Sequence, residues 1–192
     1  MSDILRPGQP ILYMKIGVHA REPLDSIIAR KLKEIEDEGY AMWGYGGSTC
    51  HPSSMVQPFA SSSAERGQTI YLCMREMNSS HWAEQVRASE YSVDGEAWRT
   101  IPPKISVLGS RYALTIKNLR KEAFTLPLEQ TRVALGNSAG ATGATYVAGR
   151  VDKACLVLAG PMSGSPESSR PAEPIGLVAE LCKPYAVFLR NS

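Results

Sequence analysis

The chain has no apolar run near the ~18 residues that a membrane-spanning helix needs, so no membrane partner is expected. An excess of one charge is missing too. Lys and Arg number 21 against 19 Asp and Glu, and a net charge of +2 supplies no field for sequence-independent duplex binding. Any contact with a nucleotide or nucleic acid must then be local. The four cysteines, Cys50, Cys73, Cys155 and Cys182, form no C-x-x-C pair, which excludes a zinc ribbon and a thioredoxin-type motif. They are expected as reduced, mostly buried thiols. His19, His51 and His81 lack H-x-E or H-x-x-x-H spacing, so no metal site is expected. Residues 1–10 show no basic stretch leading into an apolar one, and a cytoplasmic protein without a secretion signal is the expectation.

What is present is a globular chain. With 43% hydrophobic and 21% charged residues, 192 positions suffice for a sizeable core, and the length favours one elaborated domain over residues 1–192. Ile11 to Gly17 is short, apolar and rich in strand formers, and predicts a strand near the centre of a sheet. A helix follows. Pro23 suits its first turn, Gly39 its stop, and Leu24, Ile27, Ile28, Leu32 and Ile35 recur at three- and four-residue steps. Arg30, Lys31, Lys33, Glu34, Glu36 and Asp37 fill the opposite face, which is expected in solvent.

Further strands are expected at Tyr40–Trp43, Thr69–Met77, Arg111–Leu119, Val151–Ala159 and Tyr185–Leu189, with a polar loop running from Gly47 to Gln68. Asp94-Gly95 predicts a tight hairpin turn. The Gly/Ala-rich stretch 131–149 reads as a loop entering a short helix, and 160–174 as a Ser/Pro/Gly-rich surface loop. Six to eight strands and one strong amphipathic helix give an α+β fold, with a curled, largely antiparallel sheet or a partly closed β-barrel.

Chemistry is concentrated in Trp43-Gly44-Tyr45-Gly46-Gly47-Ser48-Thr49-Cys50-His51. Strand spacing places Trp43 and Tyr45 on one face, where planar bases stack, and Gly46 and Gly47 offer backbone N–H groups to an anion. Core packing and turn formation compete with that role. Cys50-His51 makes a poor nucleophile pair, because adjacent residues on an extended segment point to opposite faces. His51 suits hydrogen bonding to a phosphate or base edge better. Gly136-Asn137-Ser138-Ala139-Gly140-Ala141-Thr142-Gly143 lacks the Gly-Lys-Ser/Thr end of a Walker loop and is not G-x-G-x-x-G, and no cofactor is expected.

Thr69-Ile70-Tyr71-Leu72, then Glu90-Tyr91-Ser92-Val93-Asp94-Gly95 with Trp98, then Gly109-Ser110-Arg111-Tyr112-Ala113-Leu114-Thr115-Ile116-Lys117-Asn118-Leu119 resembles PUA-like domains of the EVE type over residues 69–120. That resemblance implies a small curled sheet with flanking helices that holds a modified base or an RNA segment. The leading expectation is a noncatalytic module binding a modified base, a nucleotide or a short single-stranded nucleic acid. Trp43 and Tyr45 would stack, Gly46 and Gly47 would donate N–H groups, and His51, Gln57 and Arg111 would read polar edges. Two alternatives stand beside it. One is an enzyme acting on a nucleotide or small anion, with His51 as general acid/base and Arg111 or Arg150 stabilising charge. The other is a protein-interaction subunit using the 160–174 loop.

Overall fold

The computed structural model describes residues 3–81, 83–148, 151–160 and 172–191. Strand β1 (Pro10–His19) leads into helix α1 (Leu24–Glu38), strand β2 (Ala41–Tyr45), a π-helical turn at Pro52–Val56 and helix α2 (Gln57–Glu65). Strands β3 (Tyr71–His81), β4 (Glu90–Ser92), β5 (Trp98–Thr100) and β6 (Tyr112–Leu126) come next. A 3-10 turn at Leu128–Gln130, β7 (Thr131–Val133), α3 (Gly143–Val147), β8 (Lys153–Leu158) and β9 (Glu173–Arg190) complete the order. The fold is α+β with few helices, and among the described residues no helix is long and apolar enough to cross a membrane.

The sheet runs β2-β6-β9-β3-β1-β8-β7, and the β4/β5 hairpin joins it through β9. Among the described residues only β1 and β3 pair in parallel; the other pairings are antiparallel. As its apolar run predicts, β1 is central, with Ile11, Leu12, Tyr13 and Met14 all buried. The partly closed barrel is not formed: the sheet stays open, with β2 and β7 at its ends. The outer side of β7 is taken by its own following turn, where Val133 N–H donates to Ala141 O at 2.9 Å and Gly140 N–H to Val133 O at 2.9 Å. Curvature comes from the long β6/β9 pair, whose register shifts three times along its length.

One face of the sheet packs α1 and α2 around Leu12, Met14, Leu72, Met74 and Leu114, and the other packs α3 around Ile11, Tyr13, Leu126 and Leu156. A third cluster joins Met42, Ala113, Val187 and Leu189 to Ile101, Ile105 and Val107 of the segment before β6.

That segment overturns part of the α1 reading. Lys31 and Glu34 were expected in water but are 2% and 1% exposed, while Leu32 is 45% exposed. Lys31 Nζ donates to Glu34 Oε2 at 3.0 Å and to Ser106 O at 2.8 Å, and Ser106 N–H donates to Glu34 Oε1 at 3.1 Å. Arg30 reaches Glu22 at 2.5 Å and also bonds Ser106 O. A paired, fully hydrogen-bonded Lys–Glu couple tolerates burial that an isolated charge does not. Burial still pushes the Lys31 pKa down to about 8, with the Glu34 charge opposing the shift.

The polar loop expected from Gly47 to Gln68 contains α2. Gln57-Pro58-Phe59-Ala60-Ser61-Ser62-Ser63 has weak helix propensity, but the helix buries Phe59 and Ala60, and Ser63 Oγ donates to Phe59 O at 2.9 Å. The hairpin is real, but its loop is five residues (93–97) rather than a two-residue turn. Asp94 organises it, accepting from Ala97 N–H at 2.9 Å, Glu96 N–H at 2.8 Å and Ser92 Oγ at 2.9 Å. Those donors hold its carboxyl down at about 2.

Candidate functional site

The 43–51 segment is packed inward. Trp43 and Tyr45 do share a face of β2, but it is the face that α1 and α2 cover, and each is 5% exposed. Neither ring has a surface to offer a base, which corrects the stacking role expected of them. Tyr45 Oη donates to Cys50 O at 2.7 Å, and burial pushes its pKa up. Cys50 lies at φ 56° with its Sγ 3.9 Å from that of Cys155, both buried. The neighbouring thiol and burial push the Cys155 pKa up, which does not suit that sulfur to nucleophilic work.

Other expected ligand contacts are occupied within the fold. Gln57 Nε2 donates to Val93 O at 2.8 Å and Ala186 O at 2.7 Å, tying α2 to the hairpin loop and to β9, so its donors are not available to a base edge. The His51 ring meets Tyr112 and Phe188 edge-on at centroid distances of 5.6 and 5.3 Å. Its Nδ1 lies 3.4 Å from Ser53 Oγ. Gly46 is partly exposed, and Gly47 sits exposed at φ 87° against Lys153. The buried Lys153 pairs with Asp152 at 2.8 Å, and the same Asp152 oxygen accepts from Thr49 Oγ1 at 3.3 Å. This loop is fastened to the start of β8.

Of the expected ligand residues, Arg111 lines a cleft at the β6/β9 end. The cleft measures about 250 Å³, and Glu84, Val86, Ser110, Arg111, Arg190 and Asn191 contribute to its walls. Pairing between β6 and β9 brings its halves together: Tyr112 is opposite Phe188, and Leu189 N–H donates to Arg111 O at 2.9 Å. The residues just outside that pair, Ser110 and Arg111 on one side and Arg190 and Asn191 on the other, therefore converge.

Two glycines permit the close approach behind it. Gly109 has φ 57°, and a Cβ there would lie 2.7 Å from Glu84 O and 2.8 Å from Ala83 Cβ. Gly44 of β2 faces Ser110 and Val107 so closely that a Cβ would collide with both.

Charge in the cleft is mixed. The exposed Arg111 has no carboxylate partner among the described residues, and its guanidinium carbon is 5.4 Å from the Tyr112 ring centroid. Arg190 donates from Nε to Glu90 Oε2 at 2.7 Å and lies 4.1 Å from the Trp98 ring centroid. His19 Nε2 is 3.1 Å from Gly109 O and 3.3 Å from Ser110 Oγ. A carbonyl oxygen only accepts, so the bond to Gly109 places the proton on Nε2. That nitrogen then cannot take a proton from Ser110, whose hydroxyl donates to Leu108 O at 3.1 Å. The Ser–His pair is a brace for the cleft wall.

Sequence reasoning missed Ser110, Arg190 and Asn191. Arg190 carried no local signal beyond a strand end, and the link to Arg111 exists only through strand pairing. Among the described residues, no group of three or more His, Cys, Asp or Glu is placed to hold a metal ion. Arg150 and most of the 160–174 loop lie outside the described residues. Comparison with family models, curated proteins and solved structures yields no match to this chain.

Proposed function

We propose that this protein is a noncatalytic module that binds a small anionic ligand of nucleotide type, a nucleotide or modified base, in the Arg111/Arg190 cleft. The observation that carries the reading is that two arginines, Arg111 and Arg190, line one small concavity that also offers Ser110, Asn191 and the apolar Val86. Small-ligand sites are typically such concave, partly apolar spaces with a few converging polar groups, and Arg is well suited to phosphate because its planar fork matches two oxygens. Glu84, Val86, Ser110 and Arg111 all fall within residues 69–120, the stretch that resembles PUA-like domains, and membership of that superfamily is part of the proposal.

The noncatalytic half rests on chemistry. The His19 proton position leaves Ser110 without a base, and His51 is not among the cleft-lining residues. Thermal unfolding with the four ribonucleoside monophosphates tests the reading, since a ligand at ~100 times its Kd adds about 2.7 kcal/mol of stability. A rise in Tm that is lost in Arg111→Ala is expected. No shift with any of them would refute binding, and conversion of the bound nucleotide, followed by chromatography, would refute the noncatalytic role.

A further inference from the structure

The two arginines of the cleft are held so differently that they cannot do the same job. Arg111 is exposed and has no ion-pair partner among the described residues, so its fork is free to turn both N–H edges to an anion. Arg190 is fixed. Its Nε is committed to Glu90, which sits directly opposite it in the β4/β9 ladder. One face of its guanidinium is covered by the Trp98 ring at 4.1 Å. Trp98 stands on β5, paired with Ser92 of β4, and is not among the lining residues, whereas Arg190 is. The ring therefore backs the guanidinium, the side chain remains about half exposed (48%), and Arg190 is one of the residues lining the cleft.

A guanidinium pinned by its edge and one face has its second face left to interact with. That face is planar, delocalised and weakly hydrated, and it stacks on aromatic rings. We infer that the cleft selects ligands carrying a planar base, which lies on the free face of Arg190 and extends the Trp98–Arg190 stack, while Arg111 takes the phosphate. The inference rests on the binding reading above and specifies its ligand as a nucleoside phosphate rather than a bare anion or sugar phosphate. The remaining polar lining agrees with this division. Glu84 presents a carboxylate, which repels a phosphate but accepts from the amino or ring N–H groups of a base, and Asn191 and Ser110 supply further edge contacts.

Calorimetric titration separates the two levels of the argument. The probes are AMP, GMP, CMP, UMP and ribose 5-phosphate, at one low salt concentration, against the wild-type chain, Arg190→Lys and Arg111→Ala. Stacking of one base predicts that at least one of the four nucleotides binds the wild type roughly tenfold more tightly than ribose 5-phosphate. Arg190→Lys keeps the charge but removes the plane. It should erase that preference, and Arg111→Ala should weaken all phosphates alike. Circular dichroism of each variant confirms that it is folded. Equal wild-type affinity for nucleotides and ribose 5-phosphate overturns the stacking inference and leaves anion binding standing. An undiminished preference in Arg190→Lys overturns it as well, and no binding by any probe removes both readings.

Discussion

Two segments, the end of β2 and the approach to β6, have similar ingredients, an aromatic or cationic residue close to a glycine, and opposite fates. Trp43-Gly44-Tyr45 is sealed beneath α1 and α2. Gly109-Ser110-Arg111 stands at the wall of a cleft. The two even touch, since the bare Cα of Gly44 admits Ser110 and Val107. The difference is which face of the sheet the helices cover. Rings that suit stacking equally suit a core, and burying a Trp releases far more apolar area from water than leaving it to wait for a ligand. Charged groups resist burial, so the cationic turn is the one left facing solvent.

The contrast can be broken most forcefully at Trp43. Trp43→Ala removes a buried ring and should cost about 3–5 kcal/mol in urea unfolding, with ligand affinity of the folded fraction unchanged; a loss below about 1 kcal/mol would show that the ring is not a core residue. Gly109→Ala should affect both properties at once. At φ 57°, with Glu84 O in the way of the new methyl, it is expected to cost about 2 kcal/mol and to weaken nucleotide binding by displacing the cleft wall. Unchanged affinity in a destabilised Gly109→Ala would separate the wall from the site.

A pH scan reports on the clamp beneath the same loop. Lys31 titrates near 8 in the fold against 10.5 as an unperturbed side chain, so between those values the unfolded chain binds more protons. Stability from this group therefore rises with pH across about 8 to 10, by on the order of 1 kcal/mol, and the rise should vanish in Lys31→Met. The thiols of Cys73 and Cys155, both with raised pKa in the fold, cost stability over the same range in both proteins, so a difference between wild type and Lys31→Met that stays flat with pH would mean that Lys31 remains charged throughout. The smallest stability effect belongs to Arg111→Ala, expected within about 0.5 kcal/mol because the side chain is exposed. Loss of binding without loss of stability is the signature that distinguishes the cleft from the packed segment.

Much of the sheet was readable from local pattern. Ile11–Ile16 and Tyr112–Ile116 carry dense apolar and β-branched residues, and Gly39 stops α1 at φ 82° as a helix-ending glycine does. Elements lacking such a pattern were missed: α2 is held by Phe59 and Ala60 packing under the sheet, against its own serine-rich propensity. The hairpin was legible in Asp94-Gly95, but its five-residue loop depends on Asp94 finding three donors. Of the candidate site, Arg111 alone was both foreseen and found at the cleft. Trp43, Tyr45 and Gln57 were chosen for chemical type, and their partners, the α1 and α2 side chains, Val93 and Ala186, lie elsewhere in the chain.

By itself the sequence determined what depends on neighbours along the chain. These are the alternation of strands, the apolar stripe and glycine stop of α1, and the near-neutral charge that leaves only local contacts with an anion. The tertiary structure decided what depends on pairing across it. Strand β9, 18 residues long, joins β6 over its whole length and delivers Arg190 to Arg111 from 79 positions away. The segment before β6 turns Lys31 and Glu34 from surface charges into a buried clamp. Periodicity encodes which residues share a face, but only packing fixes which face meets water.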